Sequence, residues 1–321
     1  MAIQLQPAIN IANISKVYKS RGGEEIKAVN HLNLTIQSGQ VFGFLGANGA
    51  GKTTTIKMMC GLVKPTSGNV SLNGYDVDQE RRQAMSQIGA VLEGTRNIYW
   101  RLSALENVLY FGRLKGVPNN ILKERAEILL TELDLWERRD DKIRTFSRGM
   151  QQKVAIACAL ISDPPIVLLD EPTLGLDVKA AITVKNWIAN LAQQRNKTIV
   201  LTTHHLDMAQ ELCDQIAIMN KGHLLTNQPK AELLDLFRNN FYEIKVAGNL
   251  NGNANAITTA LTSTHEGDYT VFTGAIDTQE DLFSILDNIR NAGHALVSVK
   301  QTEPNLEQIF IDYMDNTEVN V

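Results

Sequence analysis

A glycine-rich stretch constrains this chain more than any other feature of its sequence. Residues 46–54 read GANGAGKTT and follow the run VFGFLG (41–46). That run is apolar throughout, which is typical of a strand covered on both faces. A helix is predicted after the stretch, from about Thr53 to Cys60, and Gly61 is placed to end it. The order of strand, glycine loop and helix is typical of an α/β fold.

The same stretch has the residue types that a phosphate-binding loop needs. It fits the pattern G-x-x-x-x-G-K-[ST] from Gly46 to Thr53. Glycines let backbone N–H groups curl around phosphate oxygens, and the following helix N-terminus adds a favourable dipole. The Lys52 ammonium can reach the β- and γ-phosphates, and the Thr53 hydroxyl can ligate Mg²⁺. A chance match in a glycine-rich turn is the alternative, which the flanking strand and helix disfavour. The residues predicted to bind the triphosphate are Gly46, Ala47, Asn48, Gly49, Ala50, Gly51, Lys52, Thr53 and Thr54.

An acidic pair follows a second buried run, PIVLLDEP (165–172). We expect Asp170 to hold Mg²⁺ through water and Glu171 to polarise the water that attacks the phosphate. A plain strand end before Pro172 is the alternative. A third run, KTIVLTTHH (197–205), reads as another buried strand. Strands that alternate with helices indicate a parallel α/β sheet.

Two other regions of the chain show different patterns. The runs AINIANI (8–14) and HLNLTI (31–36) alternate apolar and polar residues, which predicts an antiparallel pair with one solvated face. A helical lobe is predicted at about residues 95–162. Within it, SALE (103–106) fits a capping box that opens a helix, and the helical period continues through KERAEILLTELDLW.

The composition changes near residue 240, where a second domain is predicted. The segment NLNGNANA (249–256) is rich in Asn and Gly. We place the boundary between a nucleotide-binding domain, residues 1–238, and a small C-terminal α+β domain, residues 239–321. Its predicted strands lie near 242–247, 269–274 and 295–301, and its predicted helices near 278–291 and 305–315.

The composition and the cysteine content limit which partners the protein can bind and in which cellular compartment it is expected. Lys and Arg number 31 against 35 Asp and Glu, a net charge of −4, so no nucleic-acid partner is expected. The three cysteines, Cys60, Cys158 and Cys213, do not suggest a disulfide framework and fit buried thiols in a reducing cytoplasm. The N-terminus is unlike a signal peptide, and the longest apolar run, VAIACALI (154–161), is too short to cross a bilayer. We therefore expect any membrane role to come through a partner.

With these motifs in order, the sequence resembles the ATP-binding cassette (ABC) ATPases. The segment FSRGMQQK (146–153) resembles the family signature LSGGQ and lies shortly before the acidic strand. Ser147 and Gly149 fit the serine and the second glycine, whereas Arg148 replaces the first glycine and Met150 the glutamine. Such variants are similar to those of bacterial exporter ATPases for drugs, lipids or polysaccharides. Physically, the serine caps the following helix.

The resemblance extends to several single positions. LGLD resembles the D-loop and makes Asp177 a cross-subunit residue, although a surface aspartate is the alternative. TTHH resembles the switch-histidine segment, which implies that His204 hydrogen-bonds the γ-phosphate and holds the water, while His205 is structural. Tyr18 matches the aromatic residue that stacks on adenine.

One position departs from the family pattern. After IGAVL (88–92) the family has a glutamine that contacts Mg²⁺ and couples to the transporter, and here Glu93 takes its place. The resemblance implies a coupling and metal-site role for Glu93. Tyr99, Trp100 and Arg101 follow, in a segment that borders the groove for the membrane partner in relatives, and an exposed aromatic residue there is a typical interface anchor. Core packing of Trp100 is the equal alternative.

The resemblance covers about residues 8–235 and implies a fold and a function. The fold is an α/β P-loop NTPase core with an antiparallel β subdomain and a helical signature lobe. The function is Mg²⁺-dependent ATP hydrolysis that powers export through separately encoded transmembrane permease subunits, with the protein peripheral on the cytoplasmic face of the membrane. A second copy or a paralogous cassette closes head to tail over two ATP, and Ser147 and Asp177 complete the opposite site.

Two other functions remain open from the sequence. One is a cassette protein that acts in DNA repair or translation; such proteins resemble tandem or coiled-coil-interrupted cassettes, unlike this single uninterrupted one. The other is a P-loop GTPase or kinase, since NKGH (220–223) is similar to the guanine-specific N-K-x-D. His223 stands at the aspartate's place in that pattern, and neither enzyme gives a reason for Ser147.

Overall fold

The computed structural model describes residues 6–19, 23–94, 97–238, 241–248, 261–276, 278–302 and 306–318. The strands are β1 Ile9–Lys19, β2 Glu25–Ile36, β3 Val41–Leu45, β4 Ser67–Leu72, β5 Tyr75–Asp76, β6 Ile88–Val91, β7 Ile166–Asp170, β8 Thr198–Thr202, β9 Gln215–Asn220, β10 His223–Pro229, β11 Phe241–Ala247, β12 Thr262–Glu266, β13 Tyr269–Ala275 and β14 Leu296–Gln301. The α-helices are α1 Lys52–Met59, α2 Arg81–Ser86, α3 Ala104–Leu114, α4 Asn119–Glu132, α5 Arg148–Leu160, α6 Val178–Arg195, α7 Leu206–Leu212, α8 Lys230–Arg238, α9 Gln279–Asn291 and α10 Leu306–Glu318.

The first sheet is antiparallel, with strand order β2-β1-β4-β5. β1 and β2 pair from Ile9 opposite Ile36, and the buried residues alternate along β2. This is the predicted antiparallel pair with one solvated face. β4 begins at Ser67, which pairs with Ser15 on β1.

The central sheet has strand order β10-β9-β3-β8-β7-β6, and the pairs that join β9, β3, β8, β7 and β6 are parallel. Every residue of β3, β7 and β8 is buried, as the three continuous apolar runs predicted. Phe44 pairs with Thr202, and Asp170 pairs with the same threonine. The carboxyl ends of the three strands therefore meet at one edge of the sheet, beside the glycine loop.

The helical lobe begins with the predicted capping box. Ser103 Oγ accepts from the backbone N–H of Glu106, and the Glu106 carboxylate accepts from the Ser103 N–H. α4 ends at Glu132, although the helical pattern predicted its continuation to Trp136. The backbone leaves the helix because Asp134 has a φ of +56°, and a short 3₁₀ turn, Trp136–Arg138, follows.

The chain divides into two compact units between Gln228 and Pro229. Our predicted boundary, between residues 238 and 239, lies ten residues later because α8 groups with the second unit. That unit has an antiparallel sheet of order β12-β13-β11-β14, with β11, β13, β14, α9 and α10 near the predicted positions. β12 escaped prediction because its sequence, TSTHE, has no apolar residue. The segment NLNGNANA lies outside the described residues.

The structure also tests two expectations from the sequence, that the cysteines are buried as free thiols and that no segment crosses a bilayer. Cys60, Cys158 and Cys213 are buried and free, as predicted. Burial raises the pKa of the Cys60 thiol to about 12, so this thiol stays protonated at neutral pH. Within the described ranges, no helix combines the length and the apolar character that crossing a bilayer requires.

Candidate nucleotide-binding site

The glycine loop leaves β3 and enters α1 in a conformation that needs glycine. Gly49 has a φ of +83° and Gly51 a φ of +107°, both in the left-handed region that side chains disfavour. A Cβ on Gly51 would strike the Ala28 carbonyl oxygen, whereas a Cβ on Gly49 would meet nothing within 4 Å. The backbone is therefore packed on one side and open on the other, which fits a cradle for phosphate oxygens.

The Lys52 ammonium lies inside this loop. Its Nζ donates to the Gly46 carbonyl at 2.7 Å and to the Ala47 carbonyl at 3.2 Å. Burial lowers the pKa of Lys52, while the neighbouring carboxylates, led by Glu171 and Asp170, oppose that change. A positive charge thus lies at the loop, next to the three carboxylates of Glu171, Asp170 and Glu93.

Asp170 is the centre of the oxygen-rich side of the site. Its Oδ1 accepts from Thr202 Oγ1 at 2.6 Å and from Thr53 Oγ1 at 3.1 Å. The backbone N–H of Glu93 lies 3.5 Å from Asp170 Oδ2. Sequence analysis did not single out Thr202; the signal for it was its place at the end of the third buried run, just before the two histidines.

Glu171 is held in an unusual backbone conformation with a φ of +50°. Its N–H donates to the carbonyl and the hydroxyl oxygens of Thr202, both at 3.1 Å. His204 Nδ1 lies 3.0 Å from Glu171 Oε2, and the glutamate side chain is only 9% exposed. Among the described residues, Oε2 has no well-aligned hydrogen bond. A buried carboxylate oxygen in this position suits a group or a water that arrives with the ligand.

The loop, Glu93 and Glu171 border one open cleft of about 580 Å³, a volume within the usual range for ligand sites. Its lining residues are Ala28, Asn48, Gly49, Ala50, Gly51, Lys52, Thr53, Thr54, Glu93, Glu171, Leu174 and His204. Asp170 joins them through its hydrogen bond to Thr53. The structure therefore brings together the residues of the predicted glycine loop, the acidic strand and the switch histidine.

The donor set fits Mg²⁺ bound together with a nucleotide. No group of three or more His, Cys, Asp or Glu side chains in the described part of the chain could hold a metal by itself. Thr53 and Asp170 supply hard oxygen donors side by side. Mg²⁺ is commonly bound by one or two protein oxygens plus substrate phosphates, and these two residues match that arrangement.

Seven predicted site residues do not line this cleft. Gly46, Ala47 and Asp170 are hydrogen-bonded to Lys52 or Thr53, which do line it. The other four are Ser147, Gly149, Asp177 and Tyr18. Ser147 caps α5 by accepting from Met150 N, and Asp177 caps α6 by accepting from Ala180 N. Both side chains are exposed, and Gly149 is packed against α6. Tyr18 is partly exposed on β1. Their contribution to a nucleotide site stays a prediction that requires a second subunit for Ser147, Gly149 and Asp177.

The segment after β6 is on the surface. Trp100 is 51% exposed and Tyr99 is 50% exposed, so the alternative of core packing for Trp100 is wrong. Tyr99 packs edge-on against Tyr110, with ring centroids 5.1 Å apart. A largely apolar groove of about 490 Å³ adjoins this segment, and Tyr99 and Leu114 are among its lining residues.

The parallel sheet, the glycine loop at its carboxyl edge and the adjoining lysine and acids define a P-loop nucleotide-binding protein. Comparison of the sequence with known protein families assigns the chain more narrowly within this class. A family model described as ABC transporter matches residues 29–174, and a model described as a domain of unknown function, DUF8691, matches residues 241–300.

Two similar proteins are from Bacillus subtilis. The chain is 38% identical to the ABC transporter ATP-binding protein NatA over 62% of this chain and 81% of the relative. It is 31% identical to the linearmycin resistance ATP-binding protein LnrL over 95% of this chain and 97% of the relative. A dimeric structure of the ATP-binding cassette MJ0796 bound to ADP and Pi matches with a TM-score of 0.64 and 29% identity, covering 69% of this chain and 98% of that one.

The chain therefore belongs to the ABC transporter family, as an ATP-binding subunit. The predicted fold, a P-loop cassette with an antiparallel β subdomain and a helical lobe, is confirmed. The matched relatives do not favour the alternative of a DNA-repair or translation cassette.

Proposed function

We propose that this protein hydrolyses Mg²⁺-ATP to power the export of a substrate through separate transmembrane permease subunits. The observation that carries the proposal is the convergence of Lys52, Asp170, Glu171 and His204 around one cleft. Phosphoryl transfer to water needs a positive charge at the phosphates, an acid that holds the metal and a second acid that positions the water. Lys52, Asp170 and Glu171 match these three needs.

Each side chain has a distinct role in this proposal. Lys52 and the loop N–H groups hold the phosphates, and Thr53 with Asp170 holds Mg²⁺. The bound ion would neutralise phosphate charge. Glu171 is positioned to orient and polarise the attacking water, and His204, 3.0 Å from the Glu171 carboxylate, fixes the direction of that carboxylate. These roles account for the buried Glu171 oxygen that lacks a well-aligned partner.

We infer that two cassettes complete each other's sites. Ser147 and Asp177 cap helices at the surface and stay outside the cleft of their own chain, so they are available to another subunit. The N-terminus of α5 offers N–H groups and a positive dipole to a γ-phosphate. The dimeric structure of the related MJ0796 cassette supports this arrangement, with a second copy or a paralogous cassette as the partner. Tyr18 is assigned to the adenine ring.

Relatives named for export or for resistance support the proposed direction of transport. The Nod factor export ATP-binding protein I of Cupriavidus metallidurans is 37% identical over 71% of this chain and 73% of its own length. LnrL is named for linearmycin resistance. The exposed Tyr99 and Trp100 beside an apolar groove give a permease a place to bind, since aromatic residues often anchor interfaces. The protein is then peripheral on the cytoplasmic face of the membrane through that partner.

Copurification from the source cell tests the function. In mild detergent, the tagged protein is expected to retain a polytopic membrane protein, and the complex to hydrolyse Mg²⁺-ATP. Trp100→Ala should lose most of that partner, because it removes an exposed anchor. Tyr75→Ala, a partly exposed aromatic residue on β5, is the matched control and should keep it. Retention of ribosomes or nucleic acid without a membrane protein would contradict the proposal.

A further inference from the structure

Two charged residues at which this chain departs from the family pattern border one cavity. Arg148 stands at the first glycine of the signature, and Glu93 stands at the glutamine after β6. Both line a cavity of about 40 Å³, together with Asp170 and Glu171. A polar cavity of this size has room for water. Two separate elements, the start of α5 and the segment after β6, thus bring an arginine and a glutamate to the same space.

The Arg148 guanidinium lies against Gly175, the residue after Leu174, which also lines the cavity. A Cβ built on Gly175 would lie 2.5 Å from Arg148 Nη1 and 2.7 Å from its Cζ. Gly175 also has a φ of +70°, a conformation that disfavours a side chain. The guanidinium therefore occupies room that exists because residue 175 is glycine.

Neither charge has a close partner within the described residues, although the Glu93 carboxylate lies near enough to the Lys52 ammonium to oppose the lowering of the Lys52 pKa. The Glu93 carboxylate and the Arg148 guanidinium have no ion-pair or hydrogen-bond partner in that part of the chain. The cavity holds three carboxylates, those of Glu93, Asp170 and Glu171, and Arg148 is the basic residue in its lining. Nearby like charges disfavour one another's ionised form, and an opposite charge relieves that cost.

Glu93 also lines the nucleotide cleft, so its charge adds to the repulsion of bound phosphates. We propose that Arg148 is a positioning residue that offsets the charge of Glu93 from the cavity side, so that the cleft accepts a triphosphate despite a third carboxylate. The two departures from the family pattern then act as a matched pair. This inference rests on the proposed binding of ATP in the cleft.

A double-mutant cycle tests the pairing. The four proteins are the native chain, Arg148→Gln, Glu93→Gln and the double variant, and the readout is the Kd of methylanthraniloyl-ATP with and without Mg²⁺. We expect Arg148→Gln to weaken binding by about threefold or more in the native background and to have roughly no effect in the Glu93→Gln background. Both residues are exposed, so the variants are expected to fold, and their unfolding midpoints verify this.

Two further measurements separate charge pairing from a packing role. The coupling should shrink when ionic strength rises from about 0.05 M to about 0.5 M, because salt screens exposed charges. Arg144→Gln is the matched control, since Arg144 is exposed in the same lobe and does not line the cavity. It should weaken binding equally little in both backgrounds.

The outcomes also distinguish this inference from the proposed function. Lys52→Ala should abolish detectable binding. If Lys52→Ala binds normally, the nucleotide site itself is wrong, and the pairing falls with it. If Lys52→Ala fails to bind but Arg148→Gln has the same effect with Glu93 or Gln at position 93, Arg148 acts independently of Glu93 and the inference alone is overturned.

Discussion

At the residue scale, the backbone conformation of Glu171 decides where its carboxylate points within the site. A non-glycine residue with a φ of +50° costs on the order of 1–3 kcal/mol. Thr202 offsets this cost because two of its oxygens accept from the Glu171 N–H. The strained backbone turns the carboxylate toward His204 and the cleft, while the preceding Asp170 stays bonded to Thr53. Two successive acids thereby make different contacts, which suits the different roles proposed for them.

Glu171→Gln tests that division of roles. The amide keeps the size of the carboxylate but loses its capacity as a base, so turnover should fall by about 10²–10⁴-fold. Nucleotide binding should persist, because Lys52 and the loop are unchanged. Size-exclusion chromatography with ATP should then show an accumulated dimer that the native protein forms only transiently.

The control for this variant is Glu127→Gln, an exposed position on α4 that does not line the cleft. This variant should match the native protein in its rate of ATP turnover and in its elution on size-exclusion chromatography with ATP. Near-native hydrolysis by Glu171→Gln, with no ATP-dependent dimer, would show that another group activates the water.

At the element scale, α3 shows how local sequence fixes a helix start. The reciprocal bonds between Ser103 and Glu106 satisfy backbone and side-chain groups at the first turn. Glu106 also accepts from Lys142 Nζ at 2.9 Å, which ties the helix to the segment before the signature. The Ser103 N–H holds the pKa of Glu106 below its usual value. The ionised Glu106 carboxylate therefore stabilises the folded state at pH values above its pKa in the unfolded chain. This stabilisation is lost as the pH falls through its pKa in the folded protein.

Ser103→Ala should lower the free energy of unfolding by about 1 kcal/mol, because an N-cap acceptor is lost. Urea unfolding followed by circular dichroism measures the change. Ser86→Ala is the control, since the Ser86 hydroxyl donates to the Gln83 carbonyl within α2 and caps no helix start. It should cost only a few tenths of that amount, on the order of 0.3 kcal/mol. Equal losses for both serines would contradict a specific role for the cap.

At the scale of the whole molecule, the two units have separate cores. The second unit buries its own cluster around Ile244 and Phe272, which lie opposite each other on β11 and β13. The cleft is lined by residues of the first unit alone. Damage to the second core should therefore spare nucleotide binding.

Phe272→Ala tests this independence in the full chain. Phe272 is 0% exposed, so its truncation should destabilise the second unit by about 3–5 kcal/mol. Phe283→Ala on α9, where the ring is 61% exposed, should cost far less. Calorimetry should show a lowered transition for Phe272→Ala, while the Kd for methylanthraniloyl-ATP stays within about twofold of native. A large loss of affinity would show that the units depend on each other.

Local patterns were sufficient for much of this structure. The glycine loop, the buried strands and the capping box at Ser103 were all predicted, since each depends on residues close in sequence. The end of α4 was missed because the apolar period continues to Trp136 while Asp134 turns the backbone away. β12 was missed because its pairing with β13, rather than any apolar pattern of its own, makes it a strand.

The nucleotide-binding loop and the acids of the site could be recognised in the sequence alone, because these motifs need particular residue types at fixed spacings. The sequence also indicated the apolar runs that must be buried. The folded chain was needed to show that Thr202 bonds to both Asp170 and Glu171, and that Arg148 and Glu93 line one cavity. Those contacts join residues far apart in the chain, and the alignment of parallel strands and the packing of α5 bring them together, so no local pattern records them.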